Sequence, residues 1–324
     1  MKIVIPDDYQ FATKNLRCLE LLKAHEVTIL GDIHLDANAR AALAEAQALV
    51  LIRERTKIDQ AFLKRTPHLK LISQTGKISR HIDVEACTAA GVLIVEGAGS
   101  PIAPAELTWA LIMCAWRQLV PAVVEMQNGR WQTNIGQALN GQTLGIWGYG
   151  KIGRMVAGFG RAFAMQVQIF GRETSRLAAE QDGYLSVATK ESFFATSDVL
   201  TVHLRLVEAT TGIIKAEDLK RMKPSALFVN TSRAELVETG ALENALQIGR
   251  PGYAALDVFS EEPIYDLNHP LLNMPNVLCT PHLGYVEQSG YELYFKKAFE
   301  NVHNFITGNP TNMVNPDALM SKIK

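Results

Sequence analysis

Short apolar runs bounded by polar turns recur along the first third of the chain, at residues 2–5, 27–30, 48–52, 69–73 and 92–95. Runs of four or five residues closed by turn formers read as buried strands. Between them, apolar positions fall at helical spacing over 12–23, 37–46, 59–65 and 84–90, with a loop at 74–80. This alternation predicts a parallel sheet covered on both faces. Glycines and prolines then break the pattern at 97–106 (GAGSPIAPAE), which reads as a domain crossover. The stretch 107–120 is apolar on nearly every face, through Trp109, Leu111, Ile112, Met113 and Trp116. It predicts a helix buried all round, or one packed across a homodimer interface.

The alternation resumes at residues 144–171 with strand, loop, helix and strand in under thirty residues. Gly148, Gly150 and Gly153 stand between the first strand and a helical pattern through Met155, Val156, Phe159 and Phe163. That is the place where a G-x-G-x-x-G loop can bind a dinucleotide. The first glycine permits a tight turn, the second lets backbone approach a pyrophosphate, and the third lets helix and strand pack closely. The helix N-terminus offers unpaired N–H groups and partial positive charge to the phosphates. Backbone of Tyr149, Lys151 and Ile152 falls inside the same loop. Further strands are expected at 197–202, 226–230, 253–257 and 276–279, each ending in polar residues, and a helix at 287–307. In open α/β sheets, ligands bind at such carboxyl ends.

The expected architecture is α/β, with two doubly wound parallel-sheet domains, Rossmann-like or flavodoxin-like, and a cleft between them. Residues 100–285 form the dinucleotide-binding domain, and 1–99 with 286–324 form a discontinuous substrate lobe. With 324 residues, 48% hydrophobic and 20% charged, the chain has an ordinary globular composition and length for two domains. A net charge of −1 gives no global pull toward nucleic acid or a membrane. Cys18, Cys87, Cys114 and Cys279 are scattered without metal-type spacing, so no metal site is expected. They read as buried apolar groups in a reducing compartment. With no secretory leader pattern at the N-terminus, the expected location is the cytoplasm.

Three ionisable residues occupy the strand-end loops: Arg233, Glu262 and His282. Downstream of a dinucleotide loop they suggest hydride transfer coupled to proton transfer. Arginine offers a rigid two-pronged fork to a carboxylate and its neighbouring carbonyl. Histidine can donate and accept a proton near neutral pH, and an adjacent carboxylate would fix its tautomer.

The segments NTSRAELV, ALDVFSEEP and CTPHLGY, with the glycine fingerprint upstream, resemble the D-isomer-specific 2-hydroxyacid dehydrogenase family. The loop LKLISQTGK and the segment GSPIAPAELTWALI resemble that family's substrate loop and crossover helix. Glu262 follows Arg233 by 29 residues and His282 follows Glu262 by 20, as in the family. The resemblance implies that Arg233 binds substrate carboxylate and carbonyl, His282 is the acid/base and Glu262 is its partner. It implies that Asp257 holds the nicotinamide carboxamide, and that backbone of Gly76, Lys77 and Ile78 cradles the substrate carboxylate. Thr108, His203, Leu204, Thr231 and Gly284 would line the cofactor. The substrate would be a small 2-oxo or 2-hydroxy acid, and the assembly a homodimer.

The chain departs from the family at the end of the second strand of its nucleotide domain. NAD-dependent members usually carry an acidic residue there; this chain has Gly171 followed by Arg172. With Arg205 replacing a frequent proline after His203, this favours NADP; the alternative is a solvated Arg172 and use of either NADP or NAD. Ala234 replaces the glycine that often follows the arginine, and would be strained if its φ were positive. Lys77 either meets a second acidic group on the substrate or is solvated. Glu262 speaks against a formate dehydrogenase, which would pair its histidine with glutamine. The remaining alternatives are a phosphite-type dehydrogenase and a dinucleotide-sensing protein of the corepressor type.

Overall fold

The computed structural model describes residues 1–320, and the last four residues of the expected substrate lobe lie outside them. The chain divides into two compact units, Met1–Ser100 with the segment from Glu287 onward, and Pro101–Val286.

The first unit holds five parallel strands, β1 (Lys2–Ile5), β2 (Glu26–Ile29), β3 (Ala48–Leu51), β4 (Leu71–Gln74) and β5 (Leu93–Glu96). Their spatial order is β2-β1-β3-β4-β5, the flavodoxin-like order. Every residue of β3 and β4 is buried, as expected of strands covered on both faces. One face packs Leu43, Phe62, Ile72, Cys87 and Ile94. The helix Gln288–Ile306 brings Phe295, Ala298, Phe299 and Val302 to the core, and Ser73 on β4 donates to the Ala298 carbonyl at 2.8 Å.

The helix expected at 12–23 is instead two 3-10 turns, Thr13–Asn15 and Arg17–Leu22, separated by an extended Leu16. The Asp8 carboxylate accepts from the Ala12 and Thr13 N–H groups, and that of Glu292 from Arg17 and Cys18. Each carboxylate captures the first donors of its own turn, so two short starts replace one continuous ladder.

The second unit holds seven parallel strands, β6 (Thr143–Trp147), β7 (Gln166–Phe170), β8 (Leu185–Ser186), β9 (Val199–Val202), β10 (Leu227–Asn230), β11 (Tyr253–Leu256) and β12 (Val277–Cys279). Their order is β12-β11-β10-β9-β6-β7-β8. The chain enters at β6, runs out to β8, then crosses to β9 and runs out the other way. The reversal falls between β6 and β9, where an open α/β sheet leaves a crevice at its carboxyl edge.

The apolar stretch expected as one helix at 107–120 begins earlier and breaks sooner. The helix runs Ile102–Trp116, and a second helix, Leu119–Gln127, leaves it at 60°. Gln118 between them is left-handed at φ 52°. Pro121 supplies the reason: in a continuous helix its ring would clash with the Arg117 carbonyl, whereas in the first turn of a new helix it is tolerated. The first helix buries Leu111, Ile112 and Trp116, while the second buries nothing and exposes Leu119, Val120, Val123, Val124 and Met126. No single helix among the described residues is long and apolar enough to cross a membrane.

Candidate active site

The glycine fingerprint lies at the carboxyl end of β6, where Gly150 caps the helix Lys151–Ala162. Gly148 adopts φ +103°, and a Cβ there would meet the His203 carbonyl at 2.5 Å. A Cβ on Gly153 would stand 2.1 Å from the Gly148 carbonyl oxygen, so the helix approaches the turn as closely as backbone permits. Nothing lies within 4 Å of the Cβ position of Gly150. An open face and unpaired N–H groups at a helix start suit a dinucleotide pyrophosphate. Lys151 is exposed and Ile152 packs into the core, so their backbone is what the loop offers. Tyr149 is likewise limited to backbone: its ring is buried and its hydroxyl donates to Asp182 at 2.7 Å, with Arg154 on the same carboxylate.

Adjacent strands β9, β10, β11 and β12 carry the other candidates on the same carboxyl edge. His203 follows β9, its Nε2 3.2 Å from the Thr201 hydroxyl, and burial pushes the imidazole down to about 4. Leu204 beside it approaches Gly148, while Arg205 is exposed. After β10, the Asn230 side chain ties the loop by accepting from the Ser232 N–H and donating to the Arg233 carbonyl. Arg233 is half-buried, with Nη1 donating to the Ser232 carbonyl at 2.6 Å. Ala234 opens a 3-10 turn and is not among the positive-φ residues, so the strain considered for it does not arise. Thr108 donates to the Pro104 carbonyl, which leaves it to accept from Thr231 at 2.7 Å.

His282 follows β12 in a left-handed conformation, φ +51°. Its Nδ1 lies 2.5 Å from Glu262 Oε2, and the other Glu262 oxygen accepts from the Phe259 N–H at 2.8 Å. A carboxylate held at both oxygens therefore fixes the imidazole with its proton on Nδ1 and leaves Nε2 for exchange with a ligand. Tyr285 packs edge-on against the ring at 5.3 Å. Asp257 is fully buried beneath this turn. It accepts from Thr280 Oγ1 at 2.6 Å, Leu283 N–H at 2.7 Å and Gly284 N–H at 2.9 Å. Burial raises its carboxyl above the usual range, against the opposing pull of those donors. Its contacts brace the residues on both sides of His282, a role the strand-end pattern alone did not disclose.

Gly76, Lys77 and Ile78 belong to the first unit, in the loop after β4. Lys77 pairs with Glu96 at the end of β5, and the same carboxylate accepts from the Ile78 N–H at 3.3 Å. The Lys77 ammonium is thus both exposed and partnered, and the Ile78 N–H already has an acceptor. Sequence reading passed over Glu96; its one signal is a charge closing an otherwise apolar strand. Arg172 is exposed at the end of β7, and opens the helix Glu173–Gln181. Among the described residues, no group of three or more side chains is placed to hold a metal ion.

The model of the D-isomer specific 2-hydroxyacid dehydrogenase NAD-binding domain matches residues 109–284, more than half of the chain. A glyoxylate reductase of Aeropyrum pernix is 37% identical over 287 residues, 85% of this chain and 84% of that one. The chain belongs to the D-isomer-specific 2-hydroxyacid dehydrogenases. As a member of that family it is an oxidoreductase with an NAD-binding domain. A phosphoglycerate oxidoreductase from Vibrio cholerae o395 superposes with a TM-score of 0.91 at 51% identity, covering 95% of this chain and 99% of that one. A D-lactate dehydrogenase from Aquifex aeolicus, solved with NAD and lactic acid, gives 0.76 at 26% identity, covering 97% and 99%.

Proposed function

We propose that this dehydrogenase reduces a small 2-oxo acid to the D-2-hydroxy acid, with Arg233 holding the carboxylate and carbonyl and His282 donating the proton. The observation that carries the reading is the 2.5 Å contact between His282 Nδ1 and Glu262, in the unit that matches the NAD-binding domain. The nicotinamide supplies the hydride. Arg233 stabilises charge as it develops on the carbonyl oxygen. His282 delivers a proton from Nε2 to that oxygen, and the Glu262 carboxylate holds the imidazolium. Pro101–Val286 is then the cofactor domain, and the remainder the substrate lobe, whose Gly76 and Lys77 N–H groups receive the carboxylate.

We assign the cofactor preference to NADPH. No carboxylate stands at Gly171 to repel a 2′-phosphate, and Arg172 and Arg205 are exposed cations. Arg176 lies one turn beyond Arg172, and its buried Nε has no acceptor among the described residues. The exposed apolar side of Leu119–Gln127 supports a homodimer. The four free cysteines, none paired, fit the reducing conditions of the cytoplasm.

The test is oxidation of NADPH and NADH against glyoxylate, hydroxypyruvate, pyruvate and phenylpyruvate. His282→Ala should lower kcat by about 10²–10⁴-fold while cofactor affinity stays unchanged. Arg172→Ala should weaken NADPH more than NADH; equal losses would remove the preference. Cofactor binding without turnover of any acid would favour phosphite oxidation or a sensing role.

A further inference from the structure

The end of β5 meets the loop after β4 at three points. The Gly97 N–H donates to the Gly76 carbonyl at 2.8 Å. The Glu96 carboxylate takes the Lys77 ammonium on one oxygen and the Ile78 N–H on the other. The approach is as close as backbone allows, since a Cβ on Gly97 would stand 2.9 Å from both the Gly76 nitrogen and the Gln74 carbonyl oxygen. Glu96 is itself held in place, for its N–H donates to the Asn312 carbonyl and its carbonyl accepts from Asn301 Nδ2. The consequence lies in what is left over. Among the described residues, the N–H groups of Gly76 and Lys77 donate to no protein acceptor, and Gly76 is buried. Two consecutive unpaired donors beside a third that Glu96 has taken form a small, fixed anion cradle. A buried donor without an acceptor is costly until a ligand supplies one.

We propose that Glu96 is the positioning residue of the substrate loop. By pinning Lys77 and Ile78 it aims the Gly76 and Lys77 N–H groups at the substrate carboxylate, and it turns the Lys77 ammonium away from the substrate. This rests on the reading of the Gly76–Lys77–Ile78 loop as the carboxylate cradle. Glu96 acts through that loop and takes no part in hydride or proton transfer. Its loss therefore changes how the acid is held and leaves the chemical step alone.

The experiment compares Glu96→Ala with Glu96→Gln, which keeps an acceptor for the Ile78 N–H but loses the charge. KM for the 2-oxo acid should rise about tenfold in the alanine variant, the cost of a lost hydrogen bond to a charged group, with kcat changed less than twofold. The glutamine variant should recover most of that loss. Amide exchange at Ile78 should quicken in the alanine variant alone. Oxalate, a non-reacting carboxylate, should slow exchange at Gly76 and Lys77 in the wild type and need about tenfold more to do so in Glu96→Ala. An unchanged KM in Glu96→Ala overturns the proposal. So does a lower KM in both variants, which would make Glu96 a competitor of the substrate. If the wild type turns over no 2-oxo acid yet oxalate protects the loop, the dehydrogenase reading of the substrate falls and the role of Glu96 stands. Absence of oxalate protection in the wild type overturns the role of Glu96 itself.

Discussion

His203 ends β9 half-buried, and burial holds the imidazole neutral down to about pH 4. An unfolded histidine titrates near 6.5. Between those values the unfolded chain binds the proton more readily, so the stability this side chain contributes is complete above about 6.5 and is lost as pH falls toward about 4. The thermal midpoint should therefore drop across that window, and His203→Asn should drop less, as scanning calorimetry of the two proteins would show. An identical pH dependence in wild type and variant would place the acid sensitivity elsewhere. Glu262 makes a different prediction. Glu262→Gln offers an amide in place of the carboxylate that holds His282, with the Phe259 N–H still able to find an acceptor. kcat should fall by roughly 10²-fold with little change in KM, measured in the direction of 2-oxo acid reduction. A fall in kcat/KM carried by KM alone would assign Glu262 to binding.

At the scale of elements, the glycine turn and its helix meet at a tight joint. Gly153→Ala would drive a methyl into the Gly148 carbonyl, an atom that cannot rotate away. Overpacking of this kind costs about 1–3 kcal/mol, and it moves the helix N-terminus off the phosphate position. The variant should melt lower and bind its nicotinamide dinucleotide at least tenfold more weakly, read by fluorescence titration. The break at Gln118 has the opposite effect, turning an apolar helix outward in place of burying it. Val120 and Val124 lie one turn apart on Leu119–Gln127, and both are exposed. If this face joins two copies, Val120→Glu with Val124→Glu should halve the mass seen in sedimentation velocity. A wild type that sediments as a monomer sinks the dimer.

Over the whole molecule, the chain leaves the first unit at residue 100 and returns to it at 287. The returning helix carries part of that unit's core, with Phe299 fully buried. Phe299→Ala should cost about 3–5 kcal/mol, while cofactor affinity, carried by the other unit, should hold in isothermal titration. Loss of both together would mean that the two units do not behave as separate cores. Strands such as β3 were legible in advance, because a strand buried on both faces reads as a near-continuous apolar run. The 3-10 turns at 13–22 were not, because Glu292, which caps the second of them, lies some 270 residues further along. The two-residue β8 was not either, since so short a strand has no period to read.

The sequence alone determined which residues could do chemistry and at which strand ends they stand. Gly148, Arg233, Glu262 and His282 are placed by local pattern, because apolar runs set the strands and the polar residues that close them must follow. Only the tertiary structure decided how those groups are held. It put Glu262 on Nδ1 of His282, buried Asp257 against both sides of that turn, drew Tyr149 away to Asp182, and set Glu96 against the Gly76 loop. Each of these is a contact between segments distant in the chain. Strand order and packing choose such partners, whereas local spacing carries no record of them.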